Sequence, residues 1–220
     1  MSEYKIPFYN HVARRTIRPI FRILFNVLSR IELIGFENIP HDPYILIFNH
    51  VSLFEAPLIV AYWPTFPEVL GASDVWNRPG QDILAKAYGG IPIDRGEIDR
   101  TALHRTVDAV LSGKSLAIAP EGGRSHTPGM RKAKAGITYL FEKTKVNIVP
   151  LAMVGTTDDF LSNLLHLKRP RASMIVGKPF FLPEFDEKGK TGSELRQEKV
   201  DFVMKKIAEL LPEEYRGYYS

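Results

Sequence analysis

His50 and Glu55 are the residues whose types and spacing most directly suggest chemistry. They follow an apolar run at residues 44–48, which is typical of a buried strand. Five residues correspond to about 140° of rotation on a helix, so the side chains meet only if His50 lies in a turn and Glu55 opens the next helix. Pro57 favours a helix starting there, because proline is tolerated in a first turn. A carboxylate held by one imidazole nitrogen leaves the other nitrogen to act as a general base.

The same segment also permits a purely structural interpretation. Ser52 and Glu55 have the spacing of a capping box, in which two side chains satisfy backbone amides at the start of a helix. His50 would then be an ordinary loop histidine whose ring is hydrogen-bonded to its surroundings. This segment by itself leaves both interpretations open.

A second cluster, Ala-Pro-Glu-Gly-Gly-Arg-Ser at residues 119–125, follows another apolar run. Its glycines allow the backbone to approach a ligand closely, and a turn that leads from a strand into a helix directs free amides outward. Arg124 adds a planar guanidinium suited to a phosphate. The alternative is a solvated turn in which Glu121 and Arg124 form an incidental ion pair.

Taken together, the two clusters resemble the glycerolipid acyltransferase family, which includes bacterial 1-acylglycerol-3-phosphate acyltransferases. Four sequence blocks of that family occur here in order, at residues 49–55, 90–96, 120–125 and 149–151. The resemblance extends from about Ile34 to Phe180. Two positions depart from the family pattern, since Glu55 stands where aspartate is usual and Gly123 where threonine is common. The longer side chain of Glu55 requires a different rotamer or a small backbone shift to reach His50, and small misplacements in a catalytic site can be costly.

The resemblance implies transfer of a fatty acyl group from a thioester to the free hydroxyl of a lysophospholipid, chiefly 1-acylglycerol-3-phosphate, which would give phosphatidic acid. His50 would act as the base and Glu55 would orient it. The thioester co-substrate would be acyl coenzyme A or acyl carrier protein, with no bound cofactor. Two alternatives remain open: a lysophospholipid- or membrane-binding protein with little turnover, and a transferase with another acceptor. The implied substrate-binding residues are Arg95, Glu121, Gly122, Gly123, Arg124 and Ser125.

Composition agrees with one α/β domain. The chain has 220 residues, of which 45% are hydrophobic and 25% charged, and these values are ordinary for a globular protein. It contains no cysteine, which excludes disulfides, thiol nucleophiles and cysteine-ligated zinc. The six histidines form no close-spaced cluster, so we expect no metal.

The N-terminal 30 residues are both basic and amphipathic. They contain Lys5, five arginines and one glutamate, whereas the rest of the chain is close to neutral. Such a helix can lie in the interface of an anionic membrane; the alternative is that its apolar face packs on the core. Nucleic acid is a poor partner, because the apolar face would stay exposed. We expect a cytoplasmic protein, peripheral on the inner face of the cell membrane. The predicted interface residues are Arg15, Arg18, Arg22, Ile20, Phe21 and Leu24.

The rest of the sequence alternates between strand and helix patterns. This alternation predicts one domain at residues 31–220, with a mixed, mostly parallel sheet flanked by helices and preceded by the amphipathic segment at 1–30. Among its elements we expect a helix at 131–143. Thr191 and Glu194 predict a capping box for the last long helix.

Overall fold

The computed structural model describes residues 4–94, 99–125 and 127–220. The strands are β1 (Arg30–Ile34), β2 (Tyr44–Phe48), β3 (Glu68–Ala72), β4 (Ile91–Ile93), β5 (Leu116–Ile118), β6 (Asn147–Val154) and β7 (Arg171–Val176). The helices are α1 (Phe8–Leu28), α2 (Glu55–Tyr62), α3 (Gln81–Tyr88), α4 (Arg100–Leu111), α5 (Thr138–Thr144), α6 (Asp159–Leu165), α7 (Gly192–Ala208) and α8 (Glu213–Arg216).

The seven strands form one sheet in the order β1-β7-β6-β2-β5-β3-β4. All neighbouring pairs are parallel except β6 and β7, which confirms the predicted mixed, mostly parallel sheet. Every residue of β2 is buried, as expected for an inner parallel strand covered on both faces. Because β2 and β5 are adjacent and parallel, the segments that follow them begin at the same edge of the sheet.

Helices cover both faces of the sheet. On one face, α1, α2 and α6 contribute Phe25, Leu58 and Phe160 to a cluster with β2, β6 and β7. On the other face, α4, α5 and α7 pack a second cluster against the same strands. Thr191 and Glu194 form the predicted capping box at the start of α7. The central strands are therefore held from both sides, so that their ends form a rigid base for the loops of the site.

The N-terminal segment is one helix that continues through Pro19. A buried ion pair joins it to the sheet: Arg14 Nη1 and Nη2 each lie 2.8 Å from a carboxylate oxygen of Glu68, the first residue of β3. Tyr4 also donates to Glu68, at 2.8 Å. Burial by itself lowers the pKa of the Arg14 guanidinium, but the hydrogen bond to Glu68 and the charge interactions with Tyr88, Glu68 and Tyr4 together outweigh burial and raise that pKa. The predicted boundary at residue 30 stays a prediction, and α1 is packed as part of the domain.

The predicted helix at residues 131–143 is wrong in its first half. Residues 131–134 are not helical, a short 3-10 turn follows at Ala135–Ile137, and α5 begins at Thr138. Three backbone amides of this stretch donate to acceptors elsewhere in the fold, which tie it to the Glu121 turn and to the C-terminal segment. The amide of Arg131 donates to a carboxylate oxygen of Glu121, that of Ala133 to the Tyr219 hydroxyl, and that of Lys134 to the carbonyl of Pro120.

Candidate active site

His50 and Glu55 meet at the edge of the sheet where β2 ends. His50 lies two residues beyond β2, and Glu55 is the first residue of α2. Glu55 Oε2 is 3.2 Å from His50 Nδ1, and the side-chain exposures are 1% for Glu55 and 26% for His50. Because a carboxylate only accepts hydrogen bonds, the contact places a proton on Nδ1, and in the neutral ring Nε2 then has the lone pair. Nε2 has no hydrogen-bond partner among the described residues. The pair therefore has the geometry of an oriented general base.

The second oxygen of Glu55 fixes the carboxylate. Oε1 accepts from the backbone amides of Val51, at 3.1 Å, and Ser52, at 2.7 Å, and from the Thr156 hydroxyl, at 3.4 Å. The capping-box alternative is only half present, because the Ser52 hydroxyl accepts from the amide of Phe54 and not from that of Glu55. Glu55 thus closes the turn with one oxygen and contacts the histidine with the other.

Asn49 ties the same turn to the neighbouring strand. Its side-chain amide donates to the carbonyl of Met153 at 2.9 Å, and its side-chain oxygen accepts from the amide of Met153 at 2.7 Å. The residue is fully buried. These two bonds extend the β2–β6 pairing one step beyond the end of β2 at Phe48, so His50 leaves the sheet from a fixed point.

Glu121 contacts the turn that carries His50 and does not pair with Arg124. Its carboxylate accepts from the amide of His50 at 2.8 Å and from the amide of Arg131 at 2.7 Å. The residue is 1% exposed. Burial raises the pKa of the Glu121 carboxyl, while the two backbone hydrogen bonds and His50 favour its ionised form. Glu121 therefore holds together two segments that are far apart in sequence.

The turn at Gly122 and Ser125 completes this arrangement. Gly122 has φ +67°, and a Cβ there would lie 2.9 Å from Lys134 Cγ, so glycine fits both the backbone and the space. Its amide donates to the carbonyl of Ala119 at 3.2 Å, which closes the turn. Ser125 is buried, and its amide donates to the carbonyl of His50 at 2.8 Å. The second and first clusters of the sequence are thus joined by direct hydrogen bonds.

Arg124 is the partly exposed cation of the site. Its guanidinium lies 3.9 Å from the exposed Asp158 carboxylate, a distance too long for a hydrogen bond. It therefore remains available to an anionic ligand. Arg95, the other predicted phosphate-binding residue, lies outside the described residues. In the part of the chain that the structure describes, no group of three or more histidine or acidic side chains could hold a metal ion.

The C-terminal segment supports the site, a role that no sequence pattern indicated. The Tyr215 hydroxyl accepts from the amide of Gly155, just after β6, at 3.0 Å. The Tyr219 hydroxyl accepts from the amide of Ala133 at 3.0 Å and donates to Asp201 of α7 at 2.9 Å. Buried tyrosines at the end of a chain are usually read as core residues, so their use as backbone acceptors was not predictable from their type.

The α1 surface differs from the predicted one at two residues. Ile20 and Leu24 are exposed, as are Arg15 and Arg22. Phe21, in contrast, is half-buried and packs edge-on against Phe25, because it lies on the side of the helix that faces the sheet. Arg18 is also bound within the protein: it stacks on the Phe66 ring at 3.6 Å and donates to the carbonyls of Val60, within α2, and Pro64, just after it. Within the described residues, no helix is both long and apolar enough to cross a membrane.

This site lies in a chain that belongs to the acyltransferase family. The family model described as Acyltransferase matches residues 30–154, more than half of the chain. The matched region contains the His50–Glu55 pair and the Glu121 turn.

Curated relatives agree with this assignment, and one solved structure shares the fold. The 1-acyl-sn-glycerol-3-phosphate acyltransferase of Borreliella burgdorferi is 29% identical over 140 residues, which cover 62% of this chain and 56% of the relative. The chloroplastic 1-acyl-sn-glycerol-3-phosphate acyltransferase of Arabidopsis thaliana is 25% identical, with 70% and 43% covered. The chain spans about half the length of these relatives. The crystal structure of the 1-acyl-sn-glycerophosphate acyltransferase PlsC from Thermotoga maritima shares the fold, with a TM-score of 0.63, 20% identity, and 91% of this chain and 80% of that chain covered.

Proposed function

We propose that this protein is an O-acyltransferase of phospholipid synthesis that moves a fatty acyl group from a thioester to a lysophospholipid, chiefly 1-acylglycerol-3-phosphate. The observation that carries the proposal is the His50 Nδ1–Glu55 Oε2 contact of 3.2 Å, with Nε2 left unbonded in a partly exposed ring. Membership of the acyltransferase family and relatives with that acceptor in their names support the same reaction.

In this mechanism His50 Nε2 removes the proton from the acceptor hydroxyl as its oxygen attacks the thioester carbonyl. Glu55 keeps the Nδ1 proton in place and stabilises the imidazolium that forms, and it needs no protonation itself. The carbon–sulfur bond then breaks, and the imidazolium returns its proton to the leaving thiolate. The products are the acylated lipid and the free thiol of coenzyme A or acyl carrier protein.

Two backbone amides are suited to the negative charge that develops in the reaction. Within the described residues, the amides of Gly123 and Arg124 donate no hydrogen bond, whereas those of Gly122 and Ser125 are already bonded. We assign the free amides to the tetrahedral oxyanion or the acceptor phosphate, together with the Arg124 guanidinium. Arg95 is proposed as a second phosphate ligand from its place in the family's second block. Glu121 then acts through its backbone contacts to His50 and Arg131, and no direct substrate contact is assigned to it.

The acceptor of this reaction is a lipid, so the site must work at a membrane surface. α1 presents exposed apolar side chains at Val12, Ile20, Ile23, Leu24 and Val27, with exposed Arg15 and Arg22 beside them. We infer that this surface, called the α1 face below, binds the interface of an anionic membrane, on the cytoplasmic side in a cell. Phe21 and Arg18 are excluded from it by their internal contacts.

The test is an assay of purified protein with a panel of lysolipid acceptors and both thioester donors, with products identified by mass spectrometry. We expect acylation of 1-acylglycerol-3-phosphate, and we expect His50→Ala to lower turnover by about 10² or more while the protein stays folded. The matched control is His41→Ala, an exposed histidine in the turn before β2. Near-normal turnover of folded His50→Ala would contradict the mechanism. Tight lysolipid binding without turnover by the natural sequence would instead identify a binding protein.

A further inference from the structure

We propose that the turn between α6 and β7, residues 165–171, is a second contact with an anionic lipid surface. This turn, the α6–β7 turn below, has the sequence Leu-His-Leu-Lys-Arg-Pro-Arg. The inference rests on the membrane contact proposed for the α1 face, because the two surfaces adjoin each other. It adds an element that the sequence patterns did not single out.

The exposure of its leucines is the first observation. Leu165 is 74% exposed and Leu167 is 70% exposed, and Leu161, one helical turn earlier, is 49% exposed. Single exposed leucines are normal on protein surfaces, but three within seven residues form a cluster that calls for a partner.

The turn is also ordered and holds Leu167 outward. The amides of His166 and Lys168 donate to carbonyls of α6, at Ser162 and Asn163, each at 3.0 Å. Leu167 has φ +54°, a left-handed conformation that leucine rarely adopts. The outward position of this side chain is therefore set by a defined backbone.

The charges around these leucines identify the partner. Lys168, Arg169 and Arg171 follow directly, and no aspartate or glutamate occurs between Asp159 and Glu184. Leucines bordered by cations, without a nearby carboxylate in sequence, match a layer of acyl chains covered by anionic phosphates.

The location of the turn connects it to both the α1 face and the catalytic pair. Arg169 Nη2 donates to the carbonyls of Asn26, at 3.1 Å, and Ser29, at 3.4 Å, which places the turn against the end of α1. Farther back on α6, the Phe160 ring lies 5.0 Å from that of Phe54, the residue before Glu55. A lipid surface that binds the turn therefore lies near the helix that carries the catalytic carboxylate.

The absence of cysteine from the natural sequence permits a direct test with single-cysteine variants. We would label Leu165→Cys and Leu167→Cys with an environment-sensitive fluorophore and add vesicles of phosphatidylcholine with or without phosphatidylglycerol. Ile23→Cys probes the α1 face. Leu111→Cys is the matched control, because Leu111 is 51% exposed at the end of α4, on the other face of the sheet. We expect a blue shift at 165, 167 and 23 with phosphatidylglycerol vesicles and none at 111.

The outcomes separate the two proposals. A shift at 23 without one at 165 or 167 would overturn this inference and leave the α1 face intact. No shift at any of these positions would overturn both membrane contacts, while the acyl-transfer assay would still stand on its own. A shift that appears without vesicles as protein concentration rises would assign the turn to a second copy of the chain, and would also overturn the inference.

A charge reversal supplies an independent measurement. Lys168→Glu should weaken binding to phosphatidylglycerol vesicles by roughly fivefold or more at low salt, whereas Lys188→Glu, the same change at an exposed lysine before α7, should not. Equal binding by the two variants would contradict the electrostatic part of the proposal.

Discussion

At the scale of single residues, the length of Glu55 matters because its two oxygens have different partners. Oε1 accepts hydrogen bonds from the backbone amides of Val51 and Ser52, and Oε2 contacts His50 Nδ1. An aspartate is shorter by one methylene, so from the same backbone position it cannot make all these contacts. The departure from the family pattern at this position is therefore compatible with an oriented histidine.

Glu55→Gln should lower turnover by roughly 10² to 10⁴, because its side-chain oxygen must face the amides of Val51 and Ser52. The amide nitrogen of the new side chain would then donate to His50 Nδ1 and leave the proton on Nε2, the wrong tautomer for a base. Steady-state kinetics and the thermal melting temperature should be measured together. Glu187→Gln, at an exposed position, is the control. If Glu55→Gln were silent, Glu55 would be only a helix cap.

Glu55→Asp tests whether the site is adapted to glutamate. We expect it to be slower than the natural protein, since the shorter carboxylate must give up either its backbone amides or His50. The same kinetic assay measures it. A much faster Glu55→Asp variant would show that glutamate impairs the natural site and would favour the binding-protein alternative.

Arg124→Ala should raise the acceptor KM roughly 10- to 100-fold and leave the donor KM nearly unchanged, because a charge-assisted contact to the acceptor phosphate is lost. The structure leaves this guanidinium partly exposed and 3.9 Å from the Asp158 carboxylate. Arg196→Ala, on the exposed side of α7, is the control. An equal loss with an acceptor that lacks phosphate would show that Arg124 has another role.

At the scale of elements, the main connection is the buried pair of Arg14 and Glu68. Arg14 belongs to α1 and Glu68 begins β3, and both side chains are almost completely buried. Removing residues 1–30 would leave Glu68 buried without its cation, so a truncated chain cannot separate membrane binding from folding. Point variants on the exposed side of α1 are the better tools.

Arg14→Met should lower the free energy of unfolding by about 3–5 kcal/mol, because it leaves an uncompensated carboxylate in the interior. Arg15→Met, one residue along at an exposed position, should change it by about 0.5 kcal/mol or less. Urea unfolding measures both. The double variant Arg14→Met and Glu68→Met should recover much of the loss, and a failure of Arg14→Met to destabilise would mean that the pair does not hold α1 in place.

At the scale of the whole molecule, α1, α2 and α6 lie on one face of the sheet, and the turn that carries His50 lies where β2 leads into α2. The proposed lipid contacts belong to α1 and to the turn after α6, so they share that face with the helix of Glu55. A membrane-bound acceptor would then reach His50 from the side on which the protein is attached.

Ile20→Ser combined with Leu24→Ser should weaken binding to anionic vesicles by about tenfold or more, because two apolar side chains no longer enter the interface. Folding should be little affected, since both residues are exposed.

Added salt should weaken binding of the natural protein, because the cations of the α1 face are screened. Vesicle sedimentation measures each effect, with Leu111→Ser as the control, and undiminished binding by the double variant would place the membrane surface elsewhere.

The sequence alone was sufficient where structure depends on near neighbours. The strand, turn and helix around His50 and Glu55 bring the two side chains together over five residues, and the capping box of Thr191 and Glu194 spans three. Alternating strand and helix patterns predicted the mixed sheet, because each strand needs helices to cover its faces. These features follow from backbone geometry and local burial.

Only the tertiary structure decided which distant groups became partners. Glu121 binds the amide of His50, 71 residues away, and the amide of Arg131, in a stretch where the sequence predicted a helix and the structure has none. The apolar residues of α1 were divided between the core and the surface by the position of the sheet, which buried Phe25 and left Leu24 exposed. Spacing along a chain constrains contacts within a few residues, whereas a distant hydrogen-bond acceptor is selected only after the order of the strands has been set.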